Sequence, residues 1–447
     1  MLQRLEPSSY AHLVVLSLVS CGTCMLVFAA PDLFDDIHRD SSTNHATFVV
    51  RGITAILVAQ LVVTPLCGAL SDVYGRKRLF LASCIVHTSV MLALTCIPSK
   101  YAFQGCILLF ATLNSMFAIG YSMAGDCSPK AQLTPCFGLL DAAFGVGVTT
   151  GLVVGRFMFA WHSSMPFVAA SILNLVGLFI TRRCVHETLD DFDRKPTASF
   201  TTVWQDSWTI WRHQPALLSL MVVTCCMHMC GAVHIVLYFY MNYRFGWQLQ
   251  SQLVFFSYEG FTMVFCSTVV LRALWQRHWT NRRLVLSGLV AQAIALTATA
   301  FMTAGWQLYP LFVVGGLHFT SYPALRSIAH QAVGRHDCGC LHGQLAFLTS
   351  ASMIAGERLA KHVVRLSIAN DMQSKHPHPC PRGYHGVLDG YATCGGMPGL
   401  VFASASAVLM GAVAVVYLLA CPPTTQRYKI TLGPPPPRSI CIEESTG

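Results

Sequence analysis

Apolar residues run along this chain in long blocks broken by short polar connections, and block length rather than a period of two carries the pattern. A helix that crosses a bilayer needs roughly 20 apolar residues. Blocks near that length occupy 10–30, 49–70, 79–97, 101–124, 137–159, 164–182, 215–240, 252–273, 284–303, 307–329, 343–365 and 398–420. They predict twelve transmembrane helices, the first ended by Pro31-Asp32. The connection over 183–214 carries Lys195-Pro196 and much of the chain's polar charge, and it divides the helices six and six. Beyond Cys421, Pro422-Pro423 and the run Pro434 to Pro437 leave no room for a packed element. The expected organisation is an N-terminal bundle over 1–182, a linker over 183–214, a second bundle over 215–420 and a disordered tail over 421–447.

A weak internal repeat agrees with that division. A shift of 206 lays Asn281-Arg282-Arg283 over Gly75-Arg76-Lys77, with His278 in place of an acid. A shift of 205 lays Gly343 and Gly356 over Gly138 and Gly151, and Lys361 over Arg156. Each match alone is within chance for a glycine-rich chain; two nearly equal offsets are harder to dismiss, since repeated helical units are a common construction in membranes. The fold class expected is an all-α polytopic membrane protein, its twelve helices set in two pseudo-symmetric six-helix bundles.

Composition excludes a soluble alternative. Of 447 residues, 54% are hydrophobic and 11% charged, with a mean hydropathy of +0.53; a soluble domain averages roughly 25% charged. The net charge of +9 would suggest nucleic acid in a soluble protein. Here the bases lie in connections (Arg76, Lys77, Arg78, Lys130, Arg182, Arg183, Arg194, Lys195, Arg212, Arg272, Arg277, Arg282, Arg283, Arg326 and Arg335), so the partner is a lipid bilayer and no nucleic acid is expected. All belong to even-numbered connections, whereas the first loop is acidic (Asp32, Asp35, Asp36, Asp40), which puts both termini in the cytoplasm. Most of the 19 cysteines, among them Cys21, Cys84, Cys226 and Cys266, fall inside apolar blocks, where cysteine acts as a small hydrophobe. Cys338 and Cys340 fall in a cytoplasmic loop, and Cys380 and Cys394 share a non-cytoplasmic one, making them the candidate disulfide. The first apolar block is too long for a signal peptide and lacks a convincing cleavage site.

The stretch Gly68-Ala-Leu70-Ser71-Asp72-Val-Tyr-Gly75-Arg76-Lys77-Arg78-Leu-Phe80 joins the second and third blocks. Physically it offers two glycines for a tight turn and close helix contact, then one acid and three bases at a membrane surface. It resembles the signature of the major facilitator superfamily, Gly-x-Leu-x-Asp-x-x-Gly-Arg-Lys/Arg-x-x-apolar, matching at Gly68, Leu70, Asp72, Gly75, Arg76, Lys77 and Phe80. The resemblance implies a transporter fold in which Gly68, Asp72, Gly75, Arg76 and Lys77 form a cytoplasmic gate. It also implies an Arg76–Asp126 ion pair, Asp126 standing at the end of the fourth helix; solvated surface charge is the competing account. In the fifth helix Gly138, Gly147, Gly151 and Gly155 resemble the family's glycine motif and offer a smooth packing face. Leu152 and Arg156 depart from it, so the exchange-type export associated with that motif does not carry over. Ala124-Gly125-Asp126 and Glu187-Thr-Leu189 make the chain similar to the tetracycline-resistance and hippocampus-abundant-transcript branch.

Candidate solute or coupling-ion groups are the ionisable residues inside the blocks: Asp141, Glu259 and Glu357, with His228, His234 and His318. A carboxylate in hydrocarbon is costly and so faces a cavity or a partner. Glu357 also stands four before Lys361, the spacing of a plain helical ion pair, and a buried histidine bonded to a neighbour is the ordinary alternative for each imidazole. The fourth helix has no arginine, which excludes proton coupling through the arginine that many family members carry there. Nothing resembles a phosphate-binding loop, and no metal site or cofactor is expected. The function expected from the resemblance is secondary transport of a small organic solute by alternating access, with protons as candidate coupling ions, in a monomer without enzymatic activity. A receptor or scaffold that keeps the fold is the alternative.

Overall fold

The computed structural model describes residues 8–37, 45–97, 106, 109, 111–195, 211–212, 215–234, 237, 240–241, 245–247, 249–371 and 400–419. Cys380, Cys394, the tail over 421–447 and most of the linker lie outside them. The described residues are helical, without strands: α1 (Ser8–Ile37), α2 (His45–Tyr74), α3 (Arg76–Cys96), α4 (Ala111–Cys127), α5 (Leu133–Trp161), α6 (Met165–Cys184), α7 (Pro215–Gly231), α8 (249–276), α9 (Asn281–Ala300), α10 (308–331), α11 (Cys338–Asp371) and α12 (Leu400–Leu419). Six contain spans long and apolar enough to cross a membrane, Thr54–Tyr74, Arg76–Cys96, Lys130–Trp161, Met165–Cys184, Ser251–Gln276 and Asn281–Ala300. Shorter apolar helices cover Ala11–Leu26, Leu217–Gly231 and Leu400–Val416.

Burial follows the logic of a lipid solvent. Phe157, Ile172, Phe179, Val254, Phe261 and Ile294 are exposed, whereas Asp72, Arg76, Asp141, Gln292 and Glu357 are buried. Hydrocarbon accepts the first set, while intramembrane charges turn to a partner or cavity. One apolar cluster gathers Val15, Met116, Phe137 and Leu140; another gathers Val223, Leu289, Phe402 and Leu409. Between the first six helices and the last six, α2 packs on α11 and α5 on α8.

The repeat read in the sequence has a spatial counterpart. At Gly138 a Cβ would meet Ser267 and Leu271 of α8, and at Gly343 it would meet Pro65 and Gly68 of α2; both glycines face the opposite six helices. At Gly151 it would meet Cys21 and Cys24 of α1, and at Gly356 it would meet Met229 of α7 and the following Ala232. Both of these face the first helix of their own six. Gly147 and Gly155 also lie on α1, so the four glycines of α5 form two faces rather than one.

Two helices are locally irregular. α8 widens to a π-helix at Cys266–Val270, beside Gly138, and α10 tightens to a 3-10 helix at Gly316–Thr320. The second irregularity turns His318, whose Nδ1 lies 2.7 Å from the Gly315 carbonyl. α11 begins five residues earlier than the apolar block suggests. Cys338 and Cys340, expected in a loop, are therefore buried in its first turn.

Candidate functional site

The turn between α2 and α3 can only be made one way. Gly75 has φ +99°, where a side chain is strained, and a Cβ there would strike the Glu187 carboxylate. Glu187 itself caps α3: Oε1 accepts the Arg76 N–H at 2.8 Å and Oε2 the Lys77 N–H at 3.2 Å. A carboxylate placed on the unpaired amides of a helix start satisfies them and meets the positive end of the helix dipole. Glu187→Ala is expected to cost about 1 kcal/mol, read as a lower melting temperature of the purified protein; an unchanged melting temperature would remove the cap.

This cap leaves Arg76 with its backbone fixed and its side chain wholly buried. The guanidinium pairs with Asp72, donates to Ser71 Oγ at 2.8 Å, to Asp126 Oδ2 at 3.2 Å and to the Arg335 carbonyl at 3.3 Å. Asp72 reaches across to the start of α11, where Oδ1 accepts the Gly339 N–H at 2.9 Å and Oδ2 the Cys340 N–H at 2.7 Å. The first amides of a helix ordinarily lack a carbonyl acceptor from their own helix and take one from outside. One carboxylate thus satisfies the arginine of its own half and the helix terminus of the other. Burial pushes the Asp126 carboxyl, beyond the last apolar turn of α4, up to about 6, against the pull of Arg76. At neutral pH Asp126 is ionised and paired; as pH falls through that value it takes a proton and this tie is lost.

Gly68 allows the approach. A Cβ there would collide with the Gly339 carbonyl and press on the backbone of Gly343. Contact continues along α2 and α11: Ser350 Oγ donates to Gln60 Oε1 at 2.7 Å, and Thr54 Oγ1 to Glu357 Oε2 at 3.0 Å. The segment after α6 straps the same end. Thr188 Oγ1 donates to Asp126 Oδ2 at 3.2 Å, the Lys195 N–H to the Asp72 carbonyl at 3.0 Å, and Lys195 Nζ lies 2.5 Å from Asp337 Oδ1. Lys77, by contrast, contributes its backbone amide to the Glu187 cap.

Deeper in the bundle, the Tyr121 hydroxyl of α4 donates to Asp141 Oδ1 of α5. Arg326 of α10 lies over the Tyr121 ring, 3.7 Å from its centroid, with Nη1 3.9 Å from Asp141 Oδ1. The charge pattern groups Arg326 with the loop bases; the structure corrects this, placing it on the helix Ser321–Gln331 with a mostly buried side chain. The signal that finds it is periodicity: His318, Tyr322, Arg326 and His330 recur every four residues along a stretch with no other ionisable side chain. Between this layer and the Arg76 cluster, His330 Nδ1 lies 3.2 Å from His342 Nε2, and His342 stacks on Tyr121 at 5.8 Å.

The other candidates fall into two groups. His228 and His318 meet around Tyr322, with ring centroids 5.3 Å and 5.6 Å away, and His228 Nε2 lies 3.3 Å from Thr349 Oγ1. His234 Nδ1 lies 3.7 Å from Glu259 Oε1. His234 and His318 border a cavity of about 40 Å³ with Gln292, Phe312 and Phe402, room for a few waters. Glu357 sits apart, held by Thr54 and the expected Lys361. Among the described residues no cluster of three or more His, Cys, Asp or Glu side chains is arranged to hold a metal.

Residues 13–357 match the family model of the Major Facilitator Superfamily. The chain is 27% identical over 346 residues to the class C tetracycline resistance protein of Escherichia coli, covering 77% of this chain and 85% of that one. It is 23% identical over 310 residues to the hippocampus abundant transcript 1 protein of Homo sapiens, covering 66% and 60%. The crystal structure of the human organic anion transporter MFSD10 (TETRAN) shares its fold, with a TM-score of 0.76 at 16% identity over 92% of this chain and 100% of that one. The match spans most of the sequence and includes the Asp72–Arg76 corner described above: the chain belongs to the Major Facilitator Superfamily, a family of secondary transporters.

Proposed function

We propose that this chain carries a small organic solute across its membrane by alternating access, and that Asp72, Arg76 and Asp126 hold one face of the pathway shut. The supporting observation is the double role of Asp72, which ties a buried arginine of α3 to the first amides of α11. A tie of this kind is made in one arrangement of the halves and broken in the other, which is what a gate requires. In this reading 1–182 and 215–420 are the rocking bundles and 183–214 joins them. The basic end faces the cytoplasm together with both termini and the tail over 421–447. The unit at work is the monomer in its bilayer. Asp141, Glu259 and Glu357 are the groups available for a coupling proton.

Purified full-length protein in lipid vesicles tests the reading. The similar proteins suggest which solutes to try first, a tetracycline and an organic anion, each with and without a pH gradient. Saturable flux of at least one solute is expected. Absence of flux across a broad solute panel, from protein shown to be folded, would replace the carrier with the receptor or scaffold.

A further inference from the structure

The Arg326 guanidinium makes no hydrogen bond among the described residues, although it has five N–H donors and its Nη1 is buried. Its contacts are the Tyr121 ring and an approach to Asp141 too long for a hydrogen bond. Asp141, with a side chain 8% exposed, is satisfied on one oxygen by Tyr121 and has no partner on Oδ2. Two opposite charges from α5 and α10 therefore stand face to face across the two halves without closing on each other. Buried charged groups are ordinarily hydrogen-bonded, so an open pair asks for a third participant. Each residue thus keeps one buried polar atom without a hydrogen bond, Nη1 on the arginine and Oδ2 on the aspartate, and a planar donor fork matches a carboxylate in two parallel bonds.

We propose that Arg326 and Asp141 form the solute subsite of the carrier, Arg326 binding the carboxylate of a small organic acid and Asp141 taking the proton that travels with it. The two carboxylates compete for one guanidinium. While Asp141 is ionised it holds Arg326 by charge; when Asp141 takes a proton on its free Oδ2, Arg326 is released to the incoming anion. One proton and one anion bind together and leave together, so the loaded site carries the same net charge as the empty one. The groups facing the pair are Tyr121 of α4, His228 of α7, Tyr322 of α10 and His342 of α11. The aromatic members supply flat walls that suit an aromatic acid. This inference rests on the transport reading.

The test is thermal stabilisation of the purified full-length protein by acetate, benzoate and salicylate, at about pH 5.5 and about pH 7.5, with benzamide and benzylamine as uncharged and cationic counterparts. At least one carboxylate is expected to raise the melting temperature, more strongly at the lower pH, and benzamide and benzylamine are not. Arg326→Gln is expected to weaken that affinity roughly tenfold or more, while Arg283→Gln, at the exposed start of α9, retains it. Asp141→Asn should keep the stabilisation and lose its pH dependence. The melting temperature of each variant without ligand reports folding separately, and Arg326→Lys, which keeps the charge without the fork, should fall between wild type and Arg326→Gln. No stabilisation by any of the three carboxylates, or stabilisation that survives Arg326→Gln, overturns the proposal. Stabilisation by benzylamine that disappears in Asp141→Asn also overturns it, yet leaves a carrier, one for cations. Failure of the carrier itself would instead appear as absent vesicle flux for every solute.

Discussion

Asp72→Asn is expected to abolish most solute flux and to expose the first turn of α11. The asparagine is the same size, so packing is kept and charge alone is removed. Arg76 then stays fully buried with Asp126 as its remaining carboxylate, and two helix-start amides lose a charged acceptor. Breaking one side of a buried ion pair typically costs about 3–5 kcal/mol. Charged to one conformation, a cost of that size shifts a two-state balance by roughly 150-fold to 5000-fold. Cys340 offers a native reporter, being buried one residue beyond the amide of Gly339. In a background where the other cysteines are replaced, a membrane-impermeant maleimide should label Cys340 much faster in Asp72→Asn than in the parent. Unchanged labelling and unchanged flux would show that the cluster is structural and gates nothing.

Gly68→Leu should act on the same interface by volume. The atoms a new side chain would meet are the Gly339 carbonyl and the Gly343 backbone, which cannot rotate aside as a flexible side chain does. Overpacking a well-filled contact costs about 1–3 kcal/mol, and here the relief is separation of α2 from α11. Flux should fall in the order glycine, alanine, leucine, and Cys340 labelling should rise in the same order. The pairing of the two experiments matters. Asp72→Asn removes charge without changing size, and Gly68→Leu adds size without changing charge, so a shared outcome assigns the effect to the interface itself. If Gly68→Leu leaves both readouts alone, α2 and α11 do not meet here in the working protein.

Much of this corner was legible from the sequence, because the turn between α2 and α3 keeps its chemistry in consecutive residues. Gly75, Arg76 and Asp72 are close in sequence, and Asp126 ends an apolar block where a charge stands out. The partners of Asp72 on α11 were not legible. They are backbone amides 267 and 268 residues away, and a backbone amide has no residue type to search for. Glu187 was noted as part of a short resemblance, but its capping role depends on α6 returning the chain to the start of α3. Arg326 was misplaced for a simpler reason: a base near the end of an apolar block looks like an orientation signal until its register with His318 and Tyr322 is counted. The cysteines at 338 and 340 were misplaced with the start of α11, since a helix start made of glycine, cysteine and histidine has no apolar period to mark it.

The glycines of α5 and α11 make the two corners of the bundle geometrically alike, yet their chemistry differs. Where α5 meets the turn from α8 into α9, the residue in place of Gly75 is Asn281, the first of α9, which accepts from Thr134 Oγ1 at 2.8 Å without a formal charge. Neutral hydrogen bonds are remade with water at little net loss, whereas a dry ion pair is not. A rocking motion would therefore meet unequal resistance: the α5–α8 side yields early and behaves as the pivot, and the α2–α11 side sets the height of the barrier.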